Sequence, residues 1–296
     1  LSFVPGTWVE SIQITKGAGS VINGYESISG QINYEILKPS NDIPFFLNAY
    51  GSTDSRFELN THFNQKYSDK LSSTLFLHGN TRLSKNDMND DGFLDSPIGK
   101  QVNILNRWQY NDAETGIVSF LNLRYMNDEK QAGQVAFNPD TDKLTTNAWG
   151  SEINTEKFEI SNKTGYVFPD MPYQSIGFQN SFQSHNQESY FGFNQYDVDQ
   201  KSYYSNLLFS SIINNTKNKF TTGVNFTYDK YKEFVAVNFA KDFSRVDNSV
   251  GAFFEYDYDN LDNFQVVAGI RVDNHNRLGT FVTPRIHIRY NPWTDA

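Results

Sequence analysis

The sequence predicts an all-β chain: an antiparallel, up-and-down transmembrane β-barrel segment of about twelve strands, preceded by a short glycine-rich β-turn-β unit. Three observations predict it. Apolar and polar residues alternate with period two through most of the chain, and helical periodicity is nearly absent. Short turns alternate with longer polar connections, as in a sheet with one tidy rim and one elaborated rim. Aromatic residues make up 16% of the chain, a level that suits the girdles of a membrane barrel.

The first forty residues stand apart. Gly17, Gly19, Gly24 and Gly30 crowd between two β-like runs, 9–15 and 31–37. Glycine at this density permits tight turns and close backbone approach. Residues 1–41 are therefore read as one unit and 42–296 as the barrel portion.

The strands that follow are legible as alternations. Phe57, Leu59 and Phe63 alternate with Glu58, Asn60, His62 and Asn64. Val224, Phe226 and Tyr228 alternate with Asn225 and Thr227. Val266, Ala268, Ile270 and Val272 interleave with Gln265, Val267, Gly269 and Arg271, and Ile286, Ile288 and Tyr290 with Arg285, His287 and Arg289. Short turns are expected at Tyr67-Ser68-Asp69-Lys70, Asn111-Asp112-Ala113-Glu114, Pro169-Asp170-Met171-Pro172, Asn214-Asn215-Thr216-Lys217, Asn260-Leu261-Asp262-Asn263 and Asn291-Pro292. The stretches 84–100, 128–150, 184–200, 232–245 and 273–279 are expected as loops on the opposite rim. On composition alone a soluble, aromatic-rich sandwich competes evenly with a barrel; the unequal rims favour the barrel.

Composition excludes several functions. With no cysteine, neither a disulfide framework nor a thiolate metal site can form. A formal charge of -9 argues against nucleic acid as a partner, since phosphate binding needs a basic face. No run of about 18 apolar residues exists, so no membrane-spanning helix is expected. Barrel strands show lipid only every second residue, so this says nothing against a membrane. The start, Leu1-Ser2-Phe3-Val4-Pro5, has neither a basic nor an apolar leader region. The chain is expected to begin after processing or inside a larger protein.

The run Val9-Glu10-Ser11-Ile12-Gln13-Ile14-Thr15-Lys16-Gly17-Ala18-Gly19-Ser20-Val21-Ile22-Asn23-Gly24-Tyr25-Glu26-Ser27-Ile28-Ser29-Gly30-Gln31-Ile32-Asn33-Tyr34 closely resembles the C-terminal end of the plug domain of TonB-dependent receptors. It departs from that pattern at Ala18 (usually Pro), Asn23 (usually Tyr) and Ser29 (usually Gly). Gly251-Ala252-Phe253-Phe254-Glu255-Tyr256 and Thr283-Pro284-Arg285-Ile286-His287-Ile288-Arg289-Tyr290-Asn291-Pro292 resemble barrel-strand motifs of the same family, especially its Bacteroidetes-type members.

The resemblance implies a plug inside a 22-stranded barrel of the plugged-lumen type. It implies an outer-membrane location in a Gram-negative cell and contact with lipid. It further implies TonB-driven import of a scarce, bulky nutrient: a siderophore, cobalamin, glycan or peptide. TonB would contact a segment upstream of Leu1, and the last ten or so strands would follow the chain. This segment alone is then expected neither to close a barrel nor to transport. A surface lipoprotein partner would accompany a glycan importer. Glu10 and Lys16 of the plug motif are expected to form ion pairs with the barrel wall.

Three further groups are candidate sites. Asp87-Met88-Asn89-Asp90-Asp91-Gly92-Phe93-Leu94-Asp95 follows the first nine positions of a calcium loop. Side-chain oxygens of Asp87, Asn89, Asp91 and Asp95 with the Phe93 carbonyl could surround a hard cation. The bidentate Glu of such loops is missing, Ile98 standing there, and an ion-free acidic loop fits equally well. Arg285, His287 and Arg289 share a strand face that would point into the lumen. Trp149, Tyr190, Phe191, Phe193 and Tyr196 could stack a sugar or catechol, or form the outer aromatic girdle, the reading preferred. The histidines His62, His78, His185, His275 and His287 lack metal-binding spacing, and no nucleophile elbow or phosphate loop appears. No enzyme is expected. A calcium-dependent extracellular binding or adhesion module on a soluble β-sheet is the competing function.

Overall fold

The computed structural model describes residues 3–237 and 239–292. Fourteen strands form two sheets. The first is a hairpin of β1 (Val9–Lys16) and β2 (Gly30–Ile36), which pair antiparallel. The second is a twelve-stranded meander of β3 (Phe45–Gly51), β4 (Arg56–Lys66), β5 (Leu71–Arg82), β6 (Ile98–Asp112), β7 (Ile117–Gly133), β8 (Gly150–Phe168), β9 (Met171–Phe191), β10 (Asn194–Ile213), β11 (Asn215–Ala236), β12 (Ala240–Asp259), β13 (Phe264–His275) and β14 (Gly279–Tyr290). Every strand of the meander pairs antiparallel with its sequence neighbour, in the order β3 to β14. Among the described residues the sheet does not close, and β3 and β14 are its first and last strands.

The two faces of the meander are inverted relative to a water-soluble protein. One cross-strand row runs Ile117, Tyr166, Ile176, Phe209, Thr222, Phe254, Ile270, Pro284 from β7 to β14. It is apolar yet open: Phe254 is 43% and Ile270 49% exposed. On the opposite face Arg271 is 1% and Asp273 0% exposed. There one row runs His62, Phe76, Leu105, Arg124, Glu159, Gln183, Ser202, Asp229, Asp247. Apolar outside and polar inside is the arrangement of a sheet whose outer face meets lipid. It does not suit the soluble sheet of the competing reading, which would expose a large apolar patch to water.

Strand lengths correct the loop expectations. Residues 184–200, 232–245 and 273–279 are not loops, residue 238 lying outside the described residues. β9 and β10 continue to a two-residue turn at Gly192-Phe193, where Phe191 pairs with Asn194. β11 and β12 pair up to Ala236 and Ala240, and β13 and β14 up to His275 and Gly279. A strand of 22 residues such as β11 spans about 70 Å at about 3.3 Å per residue. Crossing a bilayer takes only about 9–11 residues. The excess forms hairpins standing beyond the apolar belt. Both faces meet water there, so the sequence loses its alternation and reads as loop.

Two connections on that rim are true loops, 83–97 and 134–149, and they are stitched together. Leu94 N–H donates to Gly133 O and Val135 N–H to Gly92 O, both at 2.9 Å. Lys85 Nζ donates to the carbonyls of Val135 and Phe137 at 2.9 Å.

Candidate functional site

The loop joining β1 to β2 docks on the inner face of β12–β14. Gly17 and Gly24, at φ 83° and 94°, let it turn where a side chain would be strained. Ser20 caps a 3-10 turn at Val21–Asn23, its hydroxyl accepting from Ile22 N–H at 3.1 Å. The turn points the Val21 side chain at the wall.

The wall receives it with one cross-strand row: Glu255 on β12, Gly269 on β13 and Arg285 on β14. Gly269 forms a notch. A Cβ there would lie 2.6 Å from Val21 Cγ2, and Val21 is completely buried. On one side of the notch, Arg285 Nη1 donates to Gly19 O (2.7 Å) and Ser20 O (2.9 Å). Its Nη2 donates to Gly24 O (3.0 Å) and Tyr25 O (3.1 Å). On the other side Glu255 Oε2 accepts from Ser20 Oγ (2.6 Å) and Val21 N–H (3.2 Å). A planar guanidinium is suited to gripping several acceptors in fixed directions, which an ammonium cannot do.

Below the notch Arg271 donates from Nη1 to Val21 O at 3.2 Å and from Nη2 to Asn225 Oδ1 at 2.5 Å. It pairs with Asp273 at 2.6 Å. A buried ion pair is tolerated only when its remaining donors find acceptors, and here all three guanidinium nitrogens donate. Gly251 makes the room, since a methyl there would collide with Arg271, Asp273 and Asn225.

A second anchor lies at the other end of the sheet. Trp8 is buried against Phe76, at 5.4 Å between ring centroids, and Leu105, with Ile36 and Leu37 packed around them. Arg124 donates to Phe3 O, as does Asn103 Nδ2 at 2.6 Å, and Arg124 pairs with Glu159 at 3.0 Å.

Over the loop tip a polar cavity of about 390 Å³ opens between Asn23–Glu26 and the inner faces of β10–β13. Tyr25, Tyr204 and Tyr231, the carboxylates of Glu26, Asp229 and Asp247, and Arg245 line it with Ser249 and His275.

The residues singled out from sequence fall in several places. Gly17, Gly19, Gly24 and Gly30 shape the docked loop; Gly30 has φ 155°, and a Cβ on it would lie 2.8 Å from Thr15 O. Glu10 departs from expectation: it pairs with Lys38 at 3.4 Å, within the plug-side segment rather than with the wall. Lys38 is held above the usual lysine range, chiefly by its bond to Glu35 and then by the Glu10 charge. Lys16 is exposed and makes no ion pair with the wall among the described residues. Of Arg285, His287 and Arg289, which share the inner face, Arg285 grips the plug loop while His287 and Arg289 are exposed. Tyr190 is buried and donates to Glu152 at 2.8 Å, and Trp149 lies by Phe93, both within the rim packing.

In the 87–95 loop the carboxylates cap backbone. Asp87 accepts from Asp91 N–H (3.1 Å) and Gly92 N–H (2.8 Å), Asp91 from Phe93 N–H (2.8 Å), and Asp95 from Met88 N–H (2.8 Å). Asn89 Nδ2 donates to Asp91 at 3.0 Å. Among the described residues no three acidic or His side chains converge in a metal-holding group.

Sequence reasoning did not single out Trp8, Arg124, Arg271 or Asp273. A usable signal existed for two of them. Arg271 and Asp273 sit two apart on a strand, hence on one face, and that face holds glycines at 251 and 269 where bulky residues would otherwise be expected.

A glycine-rich hairpin clamped to the polar face of an apolar-outside meander is the fold of TonB-dependent outer-membrane receptors. The chain is similar to the siderophore receptor PiuA from Acinetobacter baumannii (12% identity, TM-score 0.70, covering 97% of this chain and 52% of that one). It is similar to the alcaligin outer-membrane receptor FauA from Bordetella pertussis (11%, 0.72, 97% and 48%). It also resembles the outer-membrane ferripyoverdine receptor of Pseudomonas aeruginosa (10%, 0.71, 94% and 43%). The chain spans about half the length of these receptors. No protein-family model and no curated protein matches it in sequence.

Proposed function

We propose that this chain is the plug-to-barrel portion of an active importer in the outer membrane of a Gram-negative cell. TonB, acting on a plug segment preceding these residues, would drive it. The observation that supports this most is the clamp of Arg285, Glu255 and Arg271 on the glycine-rich loop. It holds by backbone contacts a segment that fills the polar side of a lipid-facing sheet. A receptor built to move its plug needs such a contact to be strong yet reversible, and hydrogen bonds to carbonyls in a wet lumen are both.

The cargo is a scarce nutrient too large for passive entry. Of the siderophore, cobalamin, glycan and peptide classes, the siderophore class is favoured by the names of the similar receptors. The polar cavity over the plug tip is its binding site on this side of the barrel, within the range of about 300–1,000 Å³ usual for small-molecule pockets. The test is uptake of iron-59-loaded siderophores of several chemical types by the source organism. Uptake of at least one should fall when the full-length gene is deleted, return on complementation, and vanish when TonB is removed. Unchanged uptake of every type, together with unchanged growth on cobalamin, glycan and peptide sources, would remove the import reading.

A further inference from the structure

Taking the cavity as the ligand site of that importer, we propose that it selects a cationic, ammonium-bearing ligand and disfavours polyanionic chelates.

Asp229 and Asp247 are directly opposed partners on β11 and β12, both on the inner face. Like charges in directly opposed positions destabilise a sheet unless something offsets them. Asp247 has its offset: Arg245 Nε lies at 3.1 Å and Arg277 Nη1 at 3.3 Å. Among the described residues Asp229 has neutral donors only, Ser202 Oγ at 2.5 Å and Gln200 Nε2 at 3.4 Å. Glu26, on the plug side of the same cavity, has no ion pair among the described residues.

The positive groups in the lining are already committed. Arg271 is buried in its pair with Asp273. Arg245 lies on Asp247, with its guanidinium 4.2 Å over the Tyr231 ring. His275 Nδ1 accepts from the N–H groups of Arg277 (3.1 Å) and Leu278 (3.3 Å), which ties the ring to the β13–β14 turn. Among the described residues two carboxylates are thus left without a cation, beside Tyr25 and Tyr204, whose rings suit an ammonium group.

A second observation points to a ligand independently of charge. Ser249, on the inner face of β12 two residues beyond Asp247, is 2% exposed and lines the cavity, and its hydroxyl has no hydrogen-bond partner among the described residues. A buried hydroxyl left unpaired is destabilising, and a ligand polar atom would satisfy it.

The test uses the purified full-length receptor and two matched probes: a ferric trihydroxamate ending in a free ammonium, and the same chelate with that amine succinylated to a carboxylate. Calorimetry should show the ammonium form binding about tenfold or more tighter at physiological salt, as for removal of an opposite-charge contact. Asp229→Asn, nearly isosteric, should shrink the gap to about twofold or less, and Ser249→Ala should weaken both probes while leaving the gap. Equal binding, preference for the succinylated form, a gap untouched by Asp229→Asn, or no binding of either probe at millimolar concentration would each overturn the proposal. Binding to purified receptor needs no TonB, so a receptor that preferred the anionic probe yet supported TonB-dependent uptake would refute the charge selection and leave the import reading standing.

Discussion

Arg285→Ala should release the plug loop while leaving the barrel wall intact. The guanidinium makes four hydrogen bonds to loop carbonyls at 2.7–3.1 Å. Bonds to charged groups are worth about 1.5–3 kcal/mol each when one partner is removed. They are not additive here, because Arg285 is only partly buried and water can reach carbonyls that lose it. A total of about 3–5 kcal/mol for docking of residues 19–25 is the reasonable magnitude, equivalent to roughly a thousandfold in the undocked population. Hydrogen exchange on the full-length receptor reads this directly: the amides of 19–25 should exchange far faster, while those of β13 and β12 keep their protection. Arg285→Lys should fall between, since it keeps the charge and loses the fork. If the 19–25 amides of Arg285→Ala exchange at the wild-type rate, the clamp does not hold the loop and the reasoning fails.

Gly269→Ala should lift the same loop by collision with Val21, and the double variant Gly269→Ala, Val21→Ala should recover much of the lost protection; no recovery would mean the notch is not what seats Val21. Trp8→Ala should cost the plug-side hairpin about 3–5 kcal/mol, read as faster exchange across β1 and β2; unchanged protection there would dismiss the second anchor. Calcium binding by the 87–95 loop would appear as heat on titrating chelator-treated receptor, lost in Asp87→Asn and Asp95→Asn, and silence at millimolar calcium would end that expectation. Asp142 sits in the 134–149 loop, held below the usual carboxylate value chiefly by the Asn138 N–H it accepts. Its contribution is therefore complete above the ordinary Asp value and is lost as pH falls through the lowered one. Local exchange at Asn138 should rise only at strongly acid pH, and Asp142→Asn should remove that dependence.

Much of the fold was legible because lipid imposes a simple code. Alternation such as Val266 to Val272 reports which side chains meet lipid, and the inner face follows by parity. The code failed beyond the membrane. In 184–200 both faces meet water, so Phe191 and Asn194 close a hairpin that polarity alone presents as a loop. The site was half legible for a related reason. The glycines of the plug motif are visible because backbone conformation restricts residue type at φ 83° and 94°. The residues that grip that loop are ordinary Arg and Glu on polar strand faces, and what distinguishes Arg285 from the exposed Arg289 is a contact 260 or more positions away in sequence.

The clamp and the cavity floor are the same piece of chain. Gly24 and Tyr25 offer their carbonyls to Arg285 while Asn23–Glu26 line the cavity, and Arg271 touches both Val21 and the cavity. In the proposed importer, ligand affinity and docking of this loop would therefore be linked. A ligand that needs the docked floor stabilises docking by an amount fixed by its concentration relative to Kd. In the other direction, apparent affinity falls in proportion to the docked fraction. Weakening the clamp should thus leave affinity unchanged until docking nears balance and reduce it steeply beyond. Glu255, which touches the loop and does not line the cavity, can change affinity only through this linkage. Tyr231, which lines the cavity and touches no plug carbonyl, can change it only directly.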